Sequence, residues 1–157
     1  MDIVLWRVLH ILFVAAWFGM SVSIGADAKR AINNADSKGG ELMIERASKN
    51  FGMSFAAMLL TFGSGLALLF AKGGFSAVNP KIHMGLGMTL IAIVFRGALA
   101  IPAFGKIKKG VAAGGSDAEE AKKKTGLLSM ALGIEHLLWL VTLLLMLYAV
   151  YGPQEAS

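Results

Sequence analysis

No cysteine occurs in the 157 residues, which excludes disulfides, thiolate metal sites and cysteine-ligated iron–sulfur clusters. Charge is also scarce. Only 16% of residues are Asp, Glu, Lys or Arg while 56% are hydrophobic, and a mean hydropathy of +0.66 is too high for a soluble domain of this length. Internal repeats and low-complexity tracts are lacking as well. What is plentiful is long apolar sequence.

A bilayer core about 30 Å thick takes roughly 20 mostly apolar residues per helical crossing. Four stretches qualify, near 3–25, 51–71, 81–104 and 126–151. The first is too long for a signal-peptide core and runs into "GADAKR" rather than a cleavage site, so it is read as a permanent helix. The expectation is an all-α integral membrane four-helix bundle, one domain over 1–157, with both termini on the same side.

The charges orient it. Lys29, Arg30, Lys38, Arg46 and Lys49 lie between the first and second crossings, and Lys106, Lys108, Lys109, Lys122, Lys123 and Lys124 between the third and fourth. The opposite loop has Lys72 and Lys81, with Arg7 near the first helix start. The positive-inside rule then puts the basic loops in the cytoplasm and both termini outside. A pI of 9.6 needs no nucleic-acid partner, because topology signals and contacts with anionic membrane lipid account for it.

Local signals mark the helix ends. "SDAE", from Ser116 to Glu119, has capping-box spacing, and Glu119 with Lys123 and Glu120 with Lys124 stand at i,i+4, so helix four is expected to begin about ten residues before the membrane. Asn79 and Pro80 form an N-cap and first-turn pair for helix three, and "KGGF" breaks helix two.

Five ionisable residues fall within the helices, and each is a candidate for function because charge in lipid is costly. At a rise of about 1.5 Å per residue, His83 lies about 5 Å below the outer surface and His10 about 10 Å; His136 follows at about 18 Å, Glu135 at about 20 Å and Arg96 at about 24 Å. Arg96 and Glu135 stand at matching depth on sequential helices. Two roles compete: a structural ion pair that sets helix register, and an Arg96 that neutralises a ligand or cofactor carboxylate while Glu135 or His136 relays a proton. Snorkelling of Arg96 is the third.

The outer level holds His10 and His83. Two imidazoles at similar height on facing helices suit the axial positions of a b-type haem iron. His10 is flanked at helical spacing by Trp6, Phe13, Val14 and Trp17, while Gly87 stands one turn below His83 and "GSG" occupies 63–65, where small residues leave room for a flat macrocycle or for close packing. The bland alternatives are an interfacial His83 and a His10 bonded to a neighbouring carbonyl. His136, on one face with Gly133 and Ser129, is the substitute second ligand. Met84 and Met88 beside His83 raise copper(I) binding, against the commoner use of methionine as packing.

"LHILFVAAWFG", residues 9–19, resembles the first helix of small bacterial membrane proteins related to cofactor-independent protoporphyrinogen oxidases and to the membrane domain of copper-resistance protein D. "PKIHMGL", 80–86, is loosely similar to the start of their third helix. The resemblance implies a small inner-membrane scaffold holding b-type haem, with His10 as the matching ligand. The chain departs from the oxidases after Trp17, where "MSVSIGADAKR" lacks their aromatic and arginine-containing segment, and at "KKKTGLLSMALG". The expected function is electron transfer by a haem b protein, as a small subunit beside other membrane redox subunits or as a homo-oligomer. The alternatives are a porphyrinogen or quinol oxidase, and a haem-free assembly, scaffold or copper-transport subunit.

Overall fold

The computed structural model describes residues 3–114 and 118–151, and every regular element within them is helical. These are α1 (Ile3–Ser21), α2 (Ile24–Asn33), α3 (Lys38–Ala71), a short 3-10 turn (Phe75–Ala77), α4 (Pro80–Phe95), a π-helical turn (Arg96–Ala100), α5 (Ile101–Ala112) and α6 (Ala118–Tyr151). Taken through their short irregularities, they form four rods, each long and apolar enough to cross a membrane.

The breaks between rods have local causes. Ser37 caps α3 by accepting from the Gly40 amide at 3.3 Å and donates to the Asn34 carbonyl at 2.9 Å. A Cβ at Gly40 would run into the Asn34 carbonyl, so the tight turn requires glycine there. At the other end of α3, Gly73 and Gly74 take φ of +104° and +91°, which L side chains avoid. Asn79 then caps α4 by accepting from the Lys81 amide at 2.9 Å, with Pro80 in the first turn as the sequence predicts. The Ser116 capping box lies outside the described residues, whereas Glu119 and Glu120 pair with Lys122 at 3.4 Å and with Lys106 at 2.5 Å rather than with Lys123 and Lys124.

The rods extend beyond the apolar stretches. The first continues through a turn at Val22 and Ser23 into amphipathic α2, and the second begins thirteen residues before the apolar segment at Phe51. In the third, Pro102 has no N–H to offer the carbonyl four residues back; the π turn falls immediately before it, and the Ile101 amide bonds to the Arg96 carbonyl.

The main buried core lies toward the basic-loop end, where Ile24, Ala28, Ala47, Ile107 and Leu128 are sealed and Phe51 stacks on Phe104 at 4.7 Å. Small residues let α2, α3, α5 and α6 approach closely there. A smaller cluster sits above it around Trp17, Ala57, Met58 and Ala92. At the opposite end the bundle loosens: α1 follows α3 and α4 follows α6, and the two pairs meet at fewer points. Large apolar residues such as Leu12, Phe70, Val94 and Leu137 face outward, the inverse of a soluble protein and the pattern of a surface solvated by acyl chains.

Candidate functional site

The deepest polar group is a cluster built from all four rods. Arg96, at the π turn, donates from Nη1 to Glu135 Oε1 on α6 at 3.1 Å and from Nη2 to Ser54 Oγ on α3 at 2.6 Å. Trp17 on α1 donates from Nε1 to the same Glu135 Oε1 at 2.6 Å. The ion pair expected from matched depth is therefore present, with Arg96 and Glu135 each only 1% exposed. Snorkelling is excluded, because the guanidinium lies inside the bundle. Aromatic rings add to its solvation: the guanidinium carbon is 4.7 Å from the Phe51 ring centroid and 5.8 Å from that of Phe55.

The pair is not a fork meeting a fork. Both donors converge on Oε1, and buried Glu135 Oε2 and Arg96 Nε have no hydrogen-bond partner. A pair serving only as a register pin gains most from bidentate contact, and this one forgoes it.

Next to the cluster, Ser21 stands one turn from Trp17 and its hydroxyl lies 2.7 Å from His136 Nε2. That hydroxyl also donates to the Phe18 carbonyl at 2.9 Å. Having one hydrogen, Ser21 accepts from the imidazole, and the network assigns His136 the Nε2–H tautomer. Phe18 packs edge-on against the ring at 5.3 Å. Ser129 and Gly133, expected to share an inward face with His136, are exposed.

His10 presents the reverse tautomer. Ser64 Oγ lies 2.7 Å from the Leu60 carbonyl and 3.0 Å from that of Thr61, which take its one hydrogen, so it accepts from His10 Nδ1 at 2.9 Å. The lone pair is then on Nε2, on the far side of the ring. Gly65 makes room for this seat: a Cβ there would stand 3.3 Å from His10 Cε1, close enough that the ring would have to shift by a few tenths of an ångström. Leu86, whose Cδ1 lies 4.0 Å from the same position, stands three residues beyond His83 on α4, so α4 passes this seat about one turn from His83.

His83 stacks on Phe75 with centroids 5.5 Å apart and planes 14° from parallel, and its buried Nε2 has no partner. The structure thus brings Arg96, Glu135 and Trp17 together but holds His10, His83 and His136 in three separate seats. Trp17, which flanks His10 at helical spacing in the sequence, directs its indole N–H to Glu135. Gly87 is exposed with open space at its Cβ position, and the small residue beside an imidazole is Gly65. Met84 is 53% exposed and turned outward, away from any shared thioether site with His83. Among the described residues no group of three or more His, Cys, Asp or Glu converges on a metal position.

Ser54 and Ser21 carry no motif in the sequence that marks them as site residues, and Ser64 entered only as part of the small-residue "GSG" at 63–65, not as a hydrogen-bond partner of His10. Their signal is only positional: Ser54 and Ser64 lie on the α3 face that meets the ionisable residues of the other helices.

Comparison with family models, with curated proteins and with solved structures finds no match to this chain.

Proposed function

We propose that the chain is a membrane-embedded b-type haem protein of a bacterial inner membrane that transfers electrons, with His10 and His83 holding the iron. The observation that carries this reading is the state of the imidazole nitrogens. His10 is fixed through Nδ1 by Ser64, with the Nε2 lone pair left over, and the buried Nε2 of His83 is unpartnered. His10 is held as a ligating histidine ordinarily is, one nitrogen hydrogen-bonded and the other open to metal, whereas His83 is braced by its stack on Phe75. His136 is held through Nε2 by Ser21, which would leave Nδ1 as its open nitrogen and keeps it the alternative second ligand. The donor chemistry fits two axial imidazoles, and the loose packing between the α1/α3 and α4/α6 pairs on the histidine side suits a flat ligand better than the sealed opposite end does.

Bound haem would supply one-electron chemistry. The protein's own part is to orient His10 through Ser64, to keep Gly65 bare beside it, to brace His83 against Phe75, and to exclude water with the outer apolar faces. Partners in electron exchange are other membrane redox subunits or a second copy of the chain.

Spectra of single variants test the ligand set. His10→Ala should abolish haem retention and His83→Ala should abolish it or convert a low-spin spectrum to high-spin, while His136→Ala should leave it low-spin. Loss of haem in His136→Ala with a native spectrum in His83→Ala would overturn the pairing.

A further inference from the structure

The third and fourth rods part on their outer side. A cavity of about 80 Å³ lies between them, walled by Ala98, Leu99 and Pro102 on one flank and Leu127 on the other, with Lys106 and Lys124 at one end. Pro102 and the π turn before it interrupt the regular helix here, and the short side chains of Ala98 and Pro102, both exposed, leave the wall shallow and open to the surroundings of the bundle. Ala98, Pro102 and Lys106 stand at i, i+4 and i+8, so the groove follows the rod for about 12 Å.

Its two ends differ in chemistry at a definite level of the chain. Lys106 stands two residues beyond the apolar stretch that ends near 104, and Lys124 two residues before the one that begins near 126, whereas Ala98, Pro102 and Leu127 lie inside those stretches. With the apolar stretches spanning a bilayer, two ammonium groups therefore border one groove at the level of lipid headgroups, and its apolar length runs at the level of acyl chains. Lys106 Nζ donates to Glu120 Oε1 at 2.5 Å, but this uses one of three ammonium hydrogens, and both side chains are more than half exposed, so the pair is weak. Lys123 and Lys124 also act on Glu120, which leaves the mouth of the groove with an excess of positive charge.

We propose that this groove binds one anionic phospholipid of the basic-loop leaflet, with its phosphate between Lys106 and Lys124 and an acyl chain laid along Ala98, Pro102 and Leu127. The mixed character of the groove decides among occupants. A free anion has no use for the apolar wall, an apolar helix has none for the lysines, and a zwitterionic lipid brings a cation of its own to the same place. Lipid bound here would lie across the seam between the third and fourth rods, on the outside of the bundle. The proposal does not depend on haem.

Native mass spectrometry of the full chain, released from micelles carrying equal amounts of phosphatidylglycerol and phosphatidylcholine with the same acyl chains, counts the lipids that the protein retains. The wild type is expected to keep one phosphatidylglycerol in preference to phosphatidylcholine. Lys106→Gln with Lys124→Gln should weaken that retention at least about tenfold, the scale of two lysines at an anionic surface, while Lys108→Gln with Lys109→Gln, which removes the same charge from exposed positions outside the groove, should change it less than about twofold. Ala98→Phe fills the apolar wall at an exposed position without changing charge, and should weaken retention severalfold by excluding the acyl chain. Equal losses in the two double-lysine variants would reduce the effect to overall charge. Retention unaffected by Ala98→Phe, or lipid displaced by added inorganic phosphate, would reduce the groove to an anion site. Each of these results, or a wild type with no preference between the two lipids, would overturn the proposal.

Discussion

Replacing Arg96 by Met tests how the central cluster is held together. The guanidinium donates one charge-assisted bond to Glu135 and another to Ser54, and it is sealed from water. Its removal strands a buried carboxylate with Trp17 alone, at an expected cost of about 3–5 kcal/mol. At about 1.4 kcal/mol per factor of ten, the folded-to-unfolded ratio falls roughly a hundred- to several-thousand-fold. Glu135→Leu should fall in the same range because it strands the cation. Glu135→Gln should cost less, about 1–3 kcal/mol, since the amide oxygen still accepts from Trp17 and Arg96. The double variant Arg96→Met with Glu135→Leu removes both charges and should be milder than the sum of the singles by at least about 1 kcal/mol. Reversible unfolding in mixed micelles supplies the four values, and strict additivity would refute the reasoning.

Ser54→Ala leaves Arg96 Nη2 without its acceptor and should cost about 1–3 kcal/mol in the same assay. Gly40→Ala drives a Cβ against the Asn34 backbone, which cannot yield as a side chain can, so a loss of about 1–3 kcal/mol is expected; Gly52→Ala, with open space, should be neutral or stabilising. Gly65→Val crowds His10 Cε1 and should weaken haem retention at least about tenfold by titration, while Gly87→Val should not. Single cysteines at Ala113 and Gly74 should show opposite accessibility to an impermeant reagent in intact cells, with only Gly74 labelled; the reverse pattern would invert the orientation.

The four rods were legible because sustained apolar runs have few other meanings. The early start of helix four could be read from its charge spacing, but the extensions at α2 and the first turns of α3 could not, because these are amphipathic and their hydropathy resembles that of a loop. The Arg96–Glu135 pair could be read from depth alone, since a buried charge needs a partner and each had one candidate at its level. The bond from Trp17 to Glu135 was not legible for a related reason: sequence spacing does not show that its N–H points across to α6. Gly87 and Gly65 were indistinguishable by type. Which of them faces an imidazole depends on helix rotation, and that is set by packing between rods. The π turn before Pro102 escaped notice because proline signals a disturbance but does not say which hydrogen bonds replace the lost one.

The account rests on His10 and His83 as iron ligands, and the most direct test is the absorption spectrum of the purified wild-type chain, oxidised and then reduced with dithionite. A low-spin bis-imidazole b-type spectrum, with sharp visible bands on reduction, is the result predicted. A colourless protein that also fails to take up added haem would contradict it, leaving His10 as a packing residue hydrogen-bonded to Ser64.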